Sequence, residues 1–214
     1  MILQAKVKKK LAAFTLEAQL QLNEGQALGL MGPSGSGKSM LLKILAGLED
    51  PDSGYIALEG RALYDSEQKI NLAPQKRCLG YLFQSYALFP NMTVAGNITC
   101  VLKAHNRYSS QELNKLLSRL QLQGLEGRYP KELSGGQQQR AAIARLLASR
   151  PKVVFLDEPF SALDTNLKEQ LRQDLAALLK EEGMSCLLVS HDEADIKALC
   201  PRVLYIKEGR VYDK

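Results

Sequence analysis

The run Gly32-Pro33-Ser34-Gly35-Ser36-Gly37-Lys38-Ser39 satisfies the pattern GxxxxGK[ST], and its chemistry is the holding of phosphate. Its glycines let the backbone curl until successive N–H groups point inward at an anion, and the helix that follows adds the positive end of its dipole. In such a loop the Lys38 ammonium bridges the β- and γ-phosphates of a nucleotide, and the Ser39 hydroxyl ligates Mg²⁺. A second constellation is Val153-Val154-Phe155-Leu156-Asp157-Glu158, an apolar run closed by two acids. A nucleotide-binding loop needs a carboxylate near its metal at such a strand end, which makes Asp157 the metal-side acid. Glu158 follows at once and is placed to take a proton from, or orient, a water attacking the γ-phosphate.

A third group is Leu133-Ser134-Gly135-Gly136-Gln137, ahead of the helix-forming QQRAAIARLLAS. The N–H groups of Ser134, Gly135 and Gly136 at a helix start form a further anion-binding surface, although a serine-capped helix start would read the same way. Residues 32–39 already cradle one set of phosphates. Two such surfaces in one small chain therefore point to the second serving a nucleotide on another copy.

The elements around these residues follow from periodicity. The buried strand Ala27–Met31 leads into the phosphate loop, and MLLKILAGL continues as a helix that Gly47 can end. Residues 11–22 read as an early β-hairpin leaving through a turn at Asn23, Glu24 and Gly25, and residues 54–64 read as a second hairpin about Glu59 and Gly60. CLGYLFQ at 78–84 reads as a buried strand. From Ser85 to Arg128 the pattern turns helical, most clearly at Gln111–Gln121, where Leu113, Leu116, Leu117 and Leu120 share a face. Apolar strands then return at Val153–Leu156 and Cys186–Val189, separated by an amphipathic helix from Asn166 to Glu182. This alternation predicts an α/β fold with a mostly parallel sheet whose ligand lies at the strands' carboxyl ends. The expected division is an α/β core of residues 1–84 and 150–214 with an antiparallel β subdomain at its N-terminal end, and a helical subdomain inserted at 85–149.

Taken together the motifs resemble the ATP-binding cassette (ABC) family of transporter ATPases over essentially the whole chain. The landmarks come in the family's order: the P-loop at 32–39, a glutamine loop at Gln84, the LSGGQ signature at 133–137, FLDEP at 155–159 and His191 after a strand. Ser161-Ala162-Leu163-Asp164 looks like the D-loop, which in the family lies between the nucleotide sites of two subunits. The resemblance implies a P-loop NTPase fold, ATP and Mg²⁺ as ligands, and a head-to-tail homodimer. Each ATP is then held between one chain's P-loop and the other's signature residues, Ser134 to Gln137, with Asp164 nearby. It also implies that Gln84 reaches the magnesium or the attacking water, and that His191 contacts the γ-phosphate and holds Glu158 and the water in geometry.

The segment GYLFQSYALFPNMTVAGNI around Gln84 is similar to importers of small oxyanions, metals, sugars or polyamines. That likeness implies integral membrane permease subunits as partners, a solute-binding protein acting indirectly, and a peripheral place on the cytoplasmic face of the membrane. Tyr86, Leu88 and Phe89 either offer apolar surface to a permease helix or belong to the lobe core. INLAPQKRCLGYLFQ looks most like molybdate or tungstate importer ATPases, with sulfate, iron and polyamine importers close behind. Two features depart from the group: the sequence ends at EGRVYDK where relatives continue into a regulatory β-domain, and Lys8–Lys10 stand near the place expected for an adenine-stacking aromatic, with Phe14 the nearest.

Composition narrows the alternatives. With 45% hydrophobic residues and a net charge of +5 among 214 residues, the chain is not intrinsically disordered. Its basic residues are scattered among acids, which disfavours nucleic acid as a partner. Cys78, Cys100, Cys186 and Cys200 form no CxxC pair and have no histidine companions, so neither a zinc site nor a disulfide framework is expected, and a reducing compartment fits best. No window approaches the ~18–20 apolar residues of a membrane span. The rival from another class is a soluble ATPase of the same family acting on DNA or ribosomes, but its usual coiled-coil insertion or second cassette is absent from this sequence.

Overall fold

The computed structural model describes residues 1–161 and 165–213. An N-terminal hairpin of β1 (Leu3–Lys10) and β2 (Thr15–Leu22) pairs along its full length, Leu3 opposite Leu22 and Lys10 opposite Thr15. The hairpin therefore begins at Leu3, eight residues ahead of the 11–22 span that the sequence pattern suggests, with 3–10 as its first arm and its turn at residues 11–14. The reason lies in β1, where buried Leu3, Ala5 and Val7 alternate with Lys6 and Lys8 on the open face. The lysines dominate the sequence and hide a two-residue period.

After Gly25 the chain does not fold back on β2 but crosses to β3 (Ala27–Met31), which opens the parallel part of the sheet. The phosphate loop and α1 (Lys38–Ala46) follow, then the hairpin of β4 (Ser53–Leu58) and β5 (Arg61–Asp65), short β6 (Ile70–Asn71) and β7 (Leu79–Leu82). Three helices come next, α2 (Val94–Ala104), α3 (Ser110–Arg119) and α4 (Gly135–Ala148). The chain then returns through β8 (Val153–Asp157), α5 (Thr165–Glu181), β9 (Ser185–Val189), α6 (Glu193–Leu199), β10 (Arg202–Lys207) and β11 (Arg210–Asp213).

Among the described residues, eleven strands join one mixed sheet in the order β6-β5-β4-β1-β2-β11-β10-β3-β9-β8-β7. The segment from β10 to β7 is parallel and the wing from β6 to β2 antiparallel, with β11 bridging them through Arg210 opposite Glu17. The parallel sheet expected for the core and the antiparallel β strands expected beside it are both present, and they form one continuous sheet. The 78–84 strand forms its edge, where Gly80 and Leu82 are buried while Leu79 and Tyr81 are half-buried.

Strand β8 shows how the two faces divide. Val153 and Phe155 pack with α1, β1 and β2, whereas Val154 and Leu156 pack with α4, α5 and the helices after Gln84. Alternation along a strand buried on both faces makes this division obligatory. The helices of 94–148 share one apolar cluster with that second face, so the insertion brings no separate core.

Helix α1 must be held firmly because it carries the phosphate loop. Gly47 ends it in the left-handed region, φ 77°, with its N–H on Ile44 O. Arg77, fully buried, donates to the last carbonyls, Ile44 O at 3.1 Å and Leu45 O at 3.0 Å, and also to Leu72 O and Asn71 Oδ1. A Cβ at residue 47 would lie 2.5 Å from Arg77 Cζ, so the glycine is required by the arginine as well as by φ. Arg77→Met leaves these buried acceptors unpaired and is expected to cost about 2–4 kcal/mol. Thermal unfolding should register this as a fall of roughly 4–16 °C.

Candidate functional site

The phosphate loop, Asp157 with Glu158, and His191 follow β3, β8 and β9, and Gln84 follows β7; these strands lie side by side in the order β3-β9-β8-β7. Parallel pairing places their carboxyl ends on one edge, with Leu30 opposite Val189 and Val189 opposite Asp157. Residues up to 159 positions apart in the chain, 32 against 191, thereby converge, as expected for ligand sites of open α/β sheets.

Within the loop, Gly35 and Gly37 hold φ of 77° and 105°. A Cβ at Gly32 would meet Ile206 O at 2.2 Å, so only glycine lets the loop sit against the end of β10. Gly37 is the N-cap of α1 and offers no side chain to cap the helix, which keeps its first N–H groups available to an anion. The Lys38 side chain is buried and folds into the loop, donating to Gly32 O at 2.8 Å and Pro33 O at 3.0 Å. Ser36 Oγ is shielded from solvent with no protein partner. A cradle of N–H groups, an inward ammonium and an orphan hydroxyl is a donor set that fits phosphate oxygens. Pro33 and Ser34 lie exposed at the rim.

Ser39 Oγ donates to Asp157 Oδ1 at 2.8 Å, and Tyr81 Oη donates to Asp157 Oδ2 at 2.8 Å. Two of the three expected metal ligands, Ser39 and Asp157, are therefore adjacent, whereas Gln84 makes its hydrogen bond to Ser161; a hydroxyl beside a carboxylate is a hard-oxygen pair suited to Mg²⁺. Tyr81 is a site residue that the sequence pattern does not reveal. Burial first, and the Asp157 carboxylate second, push its phenol far above the usual range and keep it a donor. Its only sequence signal is a polar-tipped residue in a short apolar strand whose register, Tyr81 opposite Phe155, ends beside Asp157.

Glu158 adopts φ 49°, an uncommon conformation for a non-glycine residue. It is pinned there by Glu158 N donating to Val189 O at 2.9 Å and by Ser161 Oγ donating to Glu158 O at 3.0 Å. The twist sends its carboxylate away from Asp157 and onto His191, whose Nδ1 lies 2.9 Å from both Oε1 and Oε2. Gln84 is exposed and donates from Nε2 to Ser161 Oγ at 3.2 Å, so it reaches the segment behind Glu158. Asp164, with Ala162 and Leu163, lies outside the described residues.

The loop after Gln84 divides its three apolar residues between the two readings. Tyr86 is 4% exposed and belongs to the core, its phenol raised to about 12 by burial, and Leu88 packs against the same cluster. Phe89 alone is open, at 47%, beneath the Arg145 guanidinium. Arg145 Nη1 and Nη2 donate to Ala87 O and Tyr86 O, and fully buried Asn97 donates to Phe89 O, Met92 O and Thr93 O. These inward hydrogen bonds draw Tyr86 under the loop.

Ser134 caps α4, with Gln137 N donating to Ser134 Oγ at 3.3 Å and Ser134 N donating to Gln137 Oε1 at 3.0 Å. Gly135 and Gly136 open that helix, and among the described residues no hydrogen bond joins 133–137 to the phosphate loop. The serine-cap reading of this motif therefore holds, and it leaves open what the helix start faces in another copy. Cys186 and Cys200 are buried thiols whose pKa burial raises, and His105 is an exposed helix end.

A model of the ABC transporter family matches residues 16–161. The sulfate/thiosulfate import ATP-binding protein CysA 2 of Chromobacterium violaceum is 42% identical over 207 residues, which span 95% of this chain and 55% of that protein. The probable sulfate/thiosulfate import ATP-binding protein CysA of Chlorella vulgaris is 41% identical, over 98% of this chain and 89% of that one. The Fe(3+) ions import ATP-binding protein FbpC of Pseudomonas fluorescens is 42% identical, over 91% and 55%. The chain thus spans about half the length of the first and third of these relatives. Among solved structures, a dimeric ATP-binding cassette in a post-hydrolysis state bound to ADP and Pi superposes with a TM-score of 0.80 at 30% identity, over 99% of this chain and 98% of that one.

Proposed function

The chain belongs to the ABC transporter family, and on that premise we propose that it is the ATP-hydrolysing subunit of an importer for a small inorganic ion. The observation that carries this reading is the 2.8 Å contact of Ser39 Oγ with Asp157 Oδ1, set beside the Glu158–His191 pair on the same sheet edge. The contacts support a reading in which phosphate cradle, metal-side acid and base share one site. The N–H groups of 32–39 and Lys38 hold the β- and γ-phosphates of ATP, with Ser39, Asp157 and Gln84 toward the metal. Mg²⁺, when bound, supplies charge neutralisation on the phosphate oxygens.

Glu158 takes a proton from the attacking water, whose oxygen bonds to the γ-phosphorus as the bond to the β–γ bridging oxygen breaks, giving ADP and phosphate. His191 Nδ1 holds the carboxylate in place. A homodimer closes head to tail, with Ser134 to Gln137 and Asp164 of each copy at the other's nucleotide. The core of 1–84 and 150–214 then binds nucleotide while the lobe of 85–149 meets integral membrane permease subunits, the solute-binding protein acting through them. The site of action is peripheral, at the cytoplasmic face of the membrane; among the described residues no helix is long and apolar enough to cross it.

For the solute, names of relatives favour sulfate or thiosulfate, with Fe³⁺ as the second reading. Molybdate or tungstate, suggested by the resemblance of 70–84, draws no support from those names. Import also stands ahead of the DNA or ribosome alternative, and stimulation of hydrolysis by duplex DNA rather than by a permease would reverse that order.

The test is phosphate release from ATP with and without Mg²⁺, comparing the wild-type chain with Lys38→Ala. Hydrolysis should be metal-dependent, and the variant should bind a fluorescent ATP analogue at least tenfold more weakly, a loss of about 1.4 kcal/mol or more. Equal binding by the two proteins would remove Lys38 from the phosphate site.

A further inference from the structure

His191 sits on Glu158, yet its side chain is 63% exposed and its only hydrogen bond among the described residues is to that carboxylate. Packing does not hold the ring, so its position is set by the backbone between Ser190 and Asp192. Both neighbours are tied down. Ser190, fully buried, donates from Oγ to Asp195 Oδ2 at 2.7 Å and accepts from Asp192 N at 3.0 Å. Asp192 caps α6, its Oδ1 accepting from Ala194 N at 2.8 Å.

One side chain from another element ties these groups together. Arg172 of α5 donates from Nε to Asp195 Oδ1 at 2.6 Å and from Nη2 to Asp192 Oδ2 at 2.8 Å, and Nη1 lies 3.4 Å from Glu169 Oε2. Its side chain is 9% exposed and that of Asp195 is 5% exposed. The planar fork of the guanidinium suits two carboxylates at fixed angles better than a lysine ammonium does. Without the cation, Asp192 and Asp195 repel one another within the first turn of α6, and the buried Asp195 oxygen needs a new partner. Rearrangement there moves the two residues that flank His191.

We propose that Arg172 is the positioning residue that sets His191 against Glu158, acting through Asp195, Ser190 and Asp192. The inference rests on the ATPase reading above. Arg172 touches neither the phosphate loop nor Asp157 through any hydrogen bond or ion pair, so nucleotide binding is spared while the geometry of the base is lost.

A double-mutant cycle on ATP hydrolysis tests this. His191→Ala is expected to lower kcat about 100-fold, within the usual range for acid–base groups. Arg172→Met should lower it about 10-fold with KM for ATP within about twofold of wild type, because the loss lies in chemistry and not in binding. Added to His191→Ala, Arg172→Met should cost less than about twofold, since its effect runs through the absent imidazole. Arg172→Lys should recover activity only in part.

In case Arg172→Met unfolds the chain, Arg172→Met with Asp195→Leu removes both buried charges at once and should fold while keeping kcat low. Multiplicative losses in the cycle, or wild-type kcat in a folded Arg172 variant, overturn the assignment. A wild-type chain without ATPase activity defeats the functional reading, and this inference with it.

Discussion

Glu158→Gln is expected to bind ATP as the wild type does, to lose turnover by about 10²- to 10⁴-fold, and to stay locked as a closed dimer in ATP and Mg²⁺. The amide is nearly isosteric, keeps a contact to His191 Nδ1 and adopts φ 49° at no greater cost, so the site's shape survives. What disappears, on the proposed mechanism, is the acceptor for the water's proton. The Glu158 N–H bond to Val189 O and the Ser161 Oγ bond to Glu158 O hold the backbone regardless of the side chain, so the loss is chemical and not structural. Light scattering with and without nucleotide reads the dimer, and phosphate release reads the turnover. Near wild-type turnover would show that the proton goes elsewhere.

Ser134→Arg should abolish ATP-driven dimerisation, and hydrolysis with it, while nucleotide still binds to the same chain's P-loop. The substitution puts a long cation where the N–H groups at the start of α4 would receive the partner's γ-phosphate. It also removes the Oγ that accepts from Gln137 N, a loss of about 1 kcal/mol for an N-cap, so melting should shift by roughly 2–4 °C. Ser134→Gly, which costs only a few tenths of a kcal/mol as a cap, separates the two effects. If Ser134→Arg dimerises on ATP like wild type, the signature residues do not face a second copy's nucleotide.

How much of this was legible before folding varies by residue. The phosphate loop, the Asp157-Glu158 pair and the three buried strands Ala27–Met31, Val153–Leu156 and Cys186–Val189 are local patterns, and each lies within a residue of where the structure has it. The N-terminal hairpin was displaced because its apolar period is carried by Leu3, Ala5 and Val7 between lysines. Local sequence leaves Tyr86 open between surface and core, because its burial depends on Arg145 and Asn97, which lie 59 and 11 residues downstream. Tyr81 carries only the faint signal of a polar-tipped residue in an apolar strand, and Arg172 carries none: a tyrosine in a strand and an arginine on a helix are ordinary until Asp157 and Asp195 are found opposite them.

Sequence alone determined the chemistry and the fold class here, because glycine placement, an acid after an apolar run and a two- or 3.6-residue period are properties of neighbouring residues. It could also name Gln84 and His191, by family order. Only the tertiary structure decided which oxygen meets which donor: Ser39 and Tyr81 on the two oxygens of Asp157, His191 on Glu158, and Arg77 on the end of α1. Those pairings are made across parallel strands and between faces of the sheet, where strand order and register bring groups within 3 Å or so of each other, about one hydrogen-bond length, and neither strand order nor register is written in any local pattern.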